Sequence, residues 1–441
     1  MSITLPHHAE SAGETVGSLD GLCLFRFAHA FETGGGVERI LEDLDHGLLA
    51  RHALKIVRLH LASADSPAKS RTLPVGRGTL VLQPVRLPPG GQERMAEEAA
   101  ETASPVRAWL RRRVFGHPLL WRLLFAPYAR TRRLTPRAGE IAGAGEHFRQ
   151  LHQEHRFDLC LLHFFGGADA DEILQAARAA QVPVGLINHF ANDRLLHLAI
   201  RRHEEIATGI GSVTGQDVPP HLRGRLVNLG DGIDLTCFDP AATRSPADLP
   251  SHPVLFLPAR LLRTKGQLDL VRAARQLHDQ GLPVTVAFAG REDSQAFVTE
   301  LRQEVARLRL EPHVRFLGQL SAQEIRGWFQ ASLATVFPTY HPEGLPRVTL
   351  ESQAMHTPVV AYATGGIAEG IEQGQTGFLV PTGDLSALVA AVARLLREPG
   401  LRARMGAAGR RRVEDRFTVA AMCRRHEEFY RSLLSRPRLS A

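Results

Sequence analysis

Short apolar runs alternate with amphipathic stretches along most of the chain, a rhythm that predicts buried strands separated by helices. The first run, Leu22 to Phe27, is followed by a glycine-rich turn and an amphipathic stretch from Val37 to Ala50. Strand, glycine loop and helix form the opening unit of a nucleotide-binding α/β fold. Further strands are predicted at Leu54–His60, Thr79–Leu82, Leu159–Phe164, Val184–Asn188 and Arg225–Gly230, with a helix over Ala170–Ala180. Runs this apolar are buried on both faces, as in a parallel sheet covered by helices. Residues 238–253 hold Pro240, Pro246, Pro250 and Pro253 among small polar residues, which reads as an interdomain linker. A second alternating series then begins. It has strands at Val254–Pro258, Thr285–Ala289, Val314–Leu317, Ala334–Pro338 and Val359–Tyr362, and helices at Gly266–Gln280, Gln295–Leu308 and Ala322–Ala331. A last helix, Ala420 to Leu434, has the place of one that packs back on the first domain. No internal repeat is evident.

The chain's 441 residues suffice for two domains. With 44% apolar and 22% charged residues, the composition is that of a globular enzyme and excludes a disordered or fibrous chain. Cys23, Cys160, Cys237 and Cys423 are far apart, with neither metal-ligand nor redox spacing, and read as core thiols in a reducing compartment. No apolar run approaches a membrane span, and the polar start lacks the order of a signal peptide. The reading is a cytoplasmic protein.

Formal net charge is +7. The excess concentrates between Arg107 and Arg137, where nine arginines and no acid interleave with Trp109, Phe115, Trp121, Phe125 and Tyr128. Arginine with aromatics and leucine is the composition of an interfacial membrane surface, which points to peripheral association with an anionic membrane face, or of an ordinary helical insert whose aromatics pack on the sheet and whose arginines are solvated. Without an accompanying nucleic-acid motif, no nucleic-acid partner is expected.

Candidate chemistry gathers at Glu343-Gly344-Leu345-Pro346-Arg347-Val348-Thr349-Leu350-Glu351. Pro346 suits the first position of a helix, leaving Glu343 in the loop before it and Glu351 about a turn and a half inside. Free N–H groups at the helix start attract a phosphate, and the two carboxylates flank it to take hydroxyls. Ahead of this, Ala259-Arg260-Leu261-Leu262-Arg263-Thr264-Lys265-Gly266 ends a strand with two cations able to neutralise a leaving diphosphate. Asp169-Ala170-Asp171 has the form of a metal-binding DxD, but acids in the first turn of a helix are its simpler reading. No metal or other cofactor is expected.

These segments resemble the retaining family 4 glycosyltransferases of GT-B fold. The paired glutamates carry the likeness, with Arg260, Lys265 and Gly266 at the family's spacing, where Ala259 replaces the usual Gly. The Gly365-Gly366 turn with Glu369, and Gly374 to Asp384, continue it. Gly35-Gly36-Val37-Glu38 matches the glycine loop, and His189 the histidine ending a strand beside the transferred sugar. The resemblance implies two Rossmann-like, doubly wound parallel-sheet domains facing a central cleft. Their spans would be 1–245 (with a basic helical insert at about 92–150), 246–415 and a returning C-terminal helix over 416–441. It implies catalytic roles for Glu343, His189, Arg260 and Lys265. Donor contacts would come from Gly35, Gly36, Gly344, Leu345, Glu351, Gly365 and Gly366, and acceptor contacts from Asn192, Asp193 and Arg194. The implied donor is a UDP- or GDP-sugar, and the acceptor a glycan, lipid-linked or small-molecule hydroxyl in envelope polysaccharide or glycolipid synthesis. An epimerase or sugar phosphorylase of the same architecture, or a non-catalytic binding protein, are the alternatives.

Overall fold

The computed structural model describes residues 18–31, 36–61, 69–85, 141, 143–163, 167–189, 207–215 and 226–436. The Arg107–Arg137 segment, Gly35, Asn192, Asp193 and Arg194 lie outside them. Two sheets organise the chain. The first holds β1 Cys23–Phe31, β2 Lys55–Leu61, β3 Arg71–Val75, β4 Gly78–Val85, β5 Leu159–Leu162, β6 Val184–Asn188, β7 Gly209–Ser212 and β8 Leu226–Asn228. Its order is β3-β4-β2-β1-β5-β6-β7-β8. Helices α1 Gly36–Arg51, α2 Ala144–His155 and α3 Ala168–Ala179 connect or cover these strands.

The second sheet holds β9 Val254–Pro258, β10 Thr285–Ala289, β11 Val314–Phe316, β12 Ala334–Phe337, β13 Val359–Tyr362 and β14 Gly377–Val380. It runs β11-β10-β9-β12-β13-β14, parallel throughout. The helices are α4 Gln267–Asp279, α5 Gln295–Arg307, α6 Ala322–Ala331, α7 Arg347–Ala354, α8 Ile367–Gly370, α9 Leu385–Arg397, α10 Leu401–Arg416 and α11 Val419–Leu434. This is the doubly wound order, whose switch point lies between the first and fourth strands, here β9 and β12.

Three features differ from the sequence reading. In the first sheet β3 pairs antiparallel with β4, so the sheet is not wholly parallel. Its Pro74 and its exposed positions suit an edge strand. β7 also escaped prediction, because Gly209 and Gly211 imitate a loop. They leave room for α11: a Cβ on Gly209 would lie 2.6 Å from Leu433, and one on Gly185 of β6 2.7 Å from it. Finally, α2 belongs to the core of the first domain rather than to an insert reaching residue 150. Its Phe148 packs edge-on to Phe25 of β1 at 4.9 Å.

Cys423, Phe429, Tyr430 and Leu433 of α11 share one buried cluster with Leu24, Leu44 and Leu161. The final helix therefore crosses back to the first sheet and is held there by Arg51 to Glu427 at 2.7 Å. Among the described residues no helix is long and apolar enough to cross a membrane.

Candidate active site at the domain interface

The chain after β9 and the chain after β12 leave the second sheet at its switch point, where a doubly wound sheet binds its ligand. The first supplies Lys265 and the second Glu343, and their side chains form an ion pair. Both are largely covered, yet open enough to exchange partners. Arg260 does not join them. Its guanidinium is 57% exposed and donates to Asp293 Oδ2 at 3.0 Å, where Arg291 also binds.

Pro346 is the N-cap, with extended backbone, and α7 begins at Arg347, one residue later than the sequence implied. The proline ring fixes φ but leaves ψ free, and the chain uses that freedom to turn in from the loop. Every residue of α7 except Val348 is buried, and Arg347 and Glu351 reach from it to Asp43 and Arg39 of the first domain. Glu351 is 4% exposed. Its Oε1 sits 3.5 Å from both Arg39 of α1 and Arg347 one turn earlier. The side chain of Leu345 enters an apolar cluster with Ile233, Leu350 and Phe417, which leaves only its backbone for a ligand.

Glycines bring the domains together here. A Cβ on Gly344 would lie 2.3 Å from the carbonyl oxygen of His189, across the interface. One on Gly366 would lie 1.8 Å from the carbonyl of Gly344. The stack needs glycine at both positions, since real Cβ atoms do not approach so closely. Gly366 also donates its N–H to Glu343 O at 2.9 Å, fixing the loop that carries the carboxylate. Gly365 has φ +57 in the same turn, and Gly36 opens α1.

His189 directly follows β6 and is 6% exposed. Its Nε2 is 2.8 Å from Nδ1 of His163, which follows β5. Burial, then the neighbouring Arg26 charge, lowers the His189 pKa to about 3.

Two residues that the sequence places in motifs, without an interdomain role, hold the domains in register. Arg347 is buried and spans the interface, donating to Asp43 Oδ2 at 2.8 Å and to Gly232 O at 3.0 Å, with Asp231 Oδ1 at 3.3 Å. Burial raises the Asp231 pKa to about 6, against the opposing pull of Arg347. Glu369 accepts from Thr214 Oγ1 and from Gly215 N, each at 2.6 Å. An arginine four residues before Glu351, on the same helix face, was the available signal for Arg347. For His163 it was a second histidine ending a neighbouring strand.

Asp169 and Asp171 both lie in the first turn of α3. Asp169 is buried and accepts from Ile141 N and Ala170 N, a structural role. No group of three or more His, Cys, Asp or Glu able to hold a metal occurs among the described residues.

Residues 243–412 match the family model described as glycosyl transferases group 1. The second domain is therefore similar to the group 1 glycosyl transferases. The D-inositol 3-phosphate glycosyltransferase of Streptomyces avermitilis is 34% identical over 207 residues, 44% of each chain. The lipopolysaccharide core biosynthesis mannosyltransferase LpcC of Rhizobium leguminosarum bv. viciae is 30% identical over 209 residues, covering 46% of this chain and 58% of that one. The group 1 match thus spans about half the length of these curated relatives. The fold likeness is broader. The crystal structure of HepE from Anabaena in complex with UDP superposes with a TM-score of 0.66, covering 93% of this chain and 100% of that one at 19% identity. The architecture is GT-B.

Proposed function

We propose that the protein is a retaining glycosyltransferase that moves a sugar from a nucleoside-diphosphate donor to an acceptor hydroxyl. The observation that carries this reading is the Lys265–Glu343 pair at the switch point of the second sheet, one glycine away from the His189 backbone of the opposite domain. A diphosphate at the start of α7 would meet Lys265 and the free N–H groups of the loop, with Arg260 released from its exposed contact with Asp293. Glu351 would take the ribose hydroxyls. To do so it exchanges Arg39, whose side chain is 52% exposed, and keeps Arg347. Glu343 would turn from Lys265 to the sugar hydroxyls as Lys265 turns to phosphate.

In the transfer, the bond from the anomeric carbon to the diphosphate oxygen breaks and its electron pair leaves with the phosphate. The acceptor oxygen bonds to the same carbon from the same face. Its proton passes to the departing phosphate oxygen, so configuration is retained without a covalent enzyme intermediate. The lysine charge offsets the charge that grows on the leaving group. Closing the cleft would exclude competing water.

Relatives named for inositol phosphate and lipopolysaccharide core transfer favour an acceptor in envelope glycan or glycolipid synthesis. Peripheral contact with an anionic membrane through Arg107–Arg137 belongs to the same proposal. A thermal-shift screen against UDP-, GDP-, ADP- and dTDP-sugars, with and without EDTA, tests it. One nucleotide class should raise the melting temperature, and the shift should survive EDTA. No shift with any donor would sink the transferase reading. A shift abolished by EDTA would sink the metal-free mechanism.

A further inference from the structure

Beneath the proposed sugar site runs a line of buried polar groups with no place in the mechanism so far. Arg26 of β1 and Asp45 of α1 are both fully buried and paired at 3.1 Å, Nε to Oδ1. The other carboxylate oxygen of Asp45 is 3.4 Å from Arg58 of β2. From Arg26, one terminal nitrogen reaches the Tyr430 hydroxyl of α11 at 3.3 Å. The other is 3.3 Å from His163 Nε2. The His163 and His189 rings are inclined by 27°, with centroids 5.1 Å apart and Nδ1 to Nε2 at 2.8 Å.

The chemistry of these atoms leaves one arrangement of protons. A guanidinium has donors only, so His163 Nε2 must accept. His163 is then neutral with its proton on Nδ1, and that N–H donates to His189 Nε2. His189 Nε2 therefore accepts as well, and its own proton must sit on Nδ1. Were either ring cationic, two donors would face each other in a buried site, which is costly. We propose that Arg26 and His163 are positioning residues that hold His189 as a neutral ring protonated on Nδ1, making it a hydrogen-bond donor and not an acid. That this donor serves the sugar rests on the transferase reading above; the proton arrangement does not.

The surroundings favour the same state. Burial, then Arg26, His189, His426 and Arg58, hold the His163 pKa well below its ordinary value. Asp45 lies between Arg26 and Arg58, so the fixed charges are two cations sharing one anion, beside two uncharged rings. His426, on α11 beside Tyr430, is itself buried and its pKa is lowered to about 3. Ring orientation set by the partner of the other nitrogen is a general property of histidine. Here that partner is a second histidine whose own polarity is dictated by an arginine.

The test is long-range proton–nitrogen NMR on the full chain labelled with 15N-histidine. The chain has 21 histidines, so the His189 signals are assigned by their loss in His189→Gln. In the parent protein His189 should have the Nδ1–H pattern and should not titrate between pH 5 and 8, a range set by the ordinary histidine pKa of about 6.5. His163→Phe removes the donor to Nε2. His189 should then shift toward the Nε2–H form or titrate. Release of nucleotide from UDP-glucose or GDP-mannose, the two donors used as probes, should fall about tenfold in kcat with little change in KM, the size of one lost hydrogen bond. His163→Gln offers an acceptor and a donor with similar spacing and should restore both the Nδ1–H pattern and turnover. An Nε2–H or titrating His189 in the parent, or an unchanged His189 spectrum in His163→Phe, overturns the proposal. The spectra need no substrate, so a parent with Nδ1–H that releases nucleotide from neither donor would strike the transferase reading and leave the array standing.

Discussion

The two sides of the interface handle charge in opposite ways. On the first-domain side, Arg26, Asp45, His163 and His189 are fully or almost fully buried. Their hydrogen bonds are fixed by which atoms can donate, and burial keeps the two histidines neutral. On the second-domain side, Lys265 pairs with Glu343 at largely covered but not fully buried positions, and the exposed Arg260 pairs with Asp293. Ion pairs still reached by solvent are worth less than fully buried ones, so these cations can leave their carboxylates for a phosphate. A buried array is stiff and orients a neutral ring. A solvent-reached set of ion pairs is adaptable and supplies charge on demand. The comparison assigns orientation to one domain and leaving-group stabilisation to the other, with Arg347 as the joint between them.

Breaking the joint should have the largest effect. Arg347→Ala takes from Asp231 and Asp43 the cation that bridges them, and Asp231 is fully buried. Removing one partner of a buried ion pair costs about 3–5 kcal/mol. Denaturant unfolding should show a loss of that order, or a separate early transition as the domains part. A loss within the range of an ordinary surface substitution would mean that the domains are held by other contacts, such as Glu369 with Thr214. Lys265→Ala comes next. If this lysine stabilises the leaving diphosphate, turnover should fall by roughly 100-fold or more, as when one electrostatic stabiliser is lost. Near-normal turnover would move that role to Arg260 and undo the division proposed here.

Much of the second domain could be read from sequence. Strands β9, β10 and β13 were predicted at their observed bounds, because a parallel strand buried on both faces is one apolar run between turn signals. β14 was read only as part of a motif, since Gly377 opens it. Its glycine is required by close approach to the Val359 carbonyl, 2.0 Å from a would-be Cβ. In the first domain the same logic failed where a strand carries glycine, as β7 does, or lies exposed at an edge, as β3 does. At the site, Lys265 and Glu343 stood out because each sits in a local motif. Arg347 did not, because its bond to Asp43 joins positions 304 apart in sequence and leaves no local pattern. His163 was passed over because its role depends on Arg26, 137 positions away, and on the ring next to it. Long-range polar pairing is what the sequence withheld, and in this interface it decides the proton arrangement.

The smallest effect concerns the silent protons of the first-domain side. His426 is fully buried, its Nδ1 lies 3.0 Å from the Met422 carbonyl, and its pKa is lowered to about 3, chiefly by burial. In the unfolded chain the same histidine takes up a proton near pH 6.5. Between those values the unfolded state binds a proton that the folded state refuses, so this contribution is complete above about pH 6.5 and is lost as pH falls toward 3. Asp231 acts in the opposite sense. Its folded pKa of about 6 exceeds the ordinary aspartate value of 3.8, so it favours the folded state at low pH and loses that contribution as pH rises through 6. Because the histidines outnumber it, stability should fall on acidification from pH 6 to 4. His426→Gln removes one of those protons. It should flatten the slope by about 1.4 kcal/mol per pH unit, the value of one proton, while the absolute stability at pH 7 shifts by its own packing cost. Urea unfolding at several pH values in that range reads the slope directly. An unchanged slope would mean that His426 already carries its proton in the folded state, and the contrast between a proton-silent domain and a charge-bearing one would lose a member.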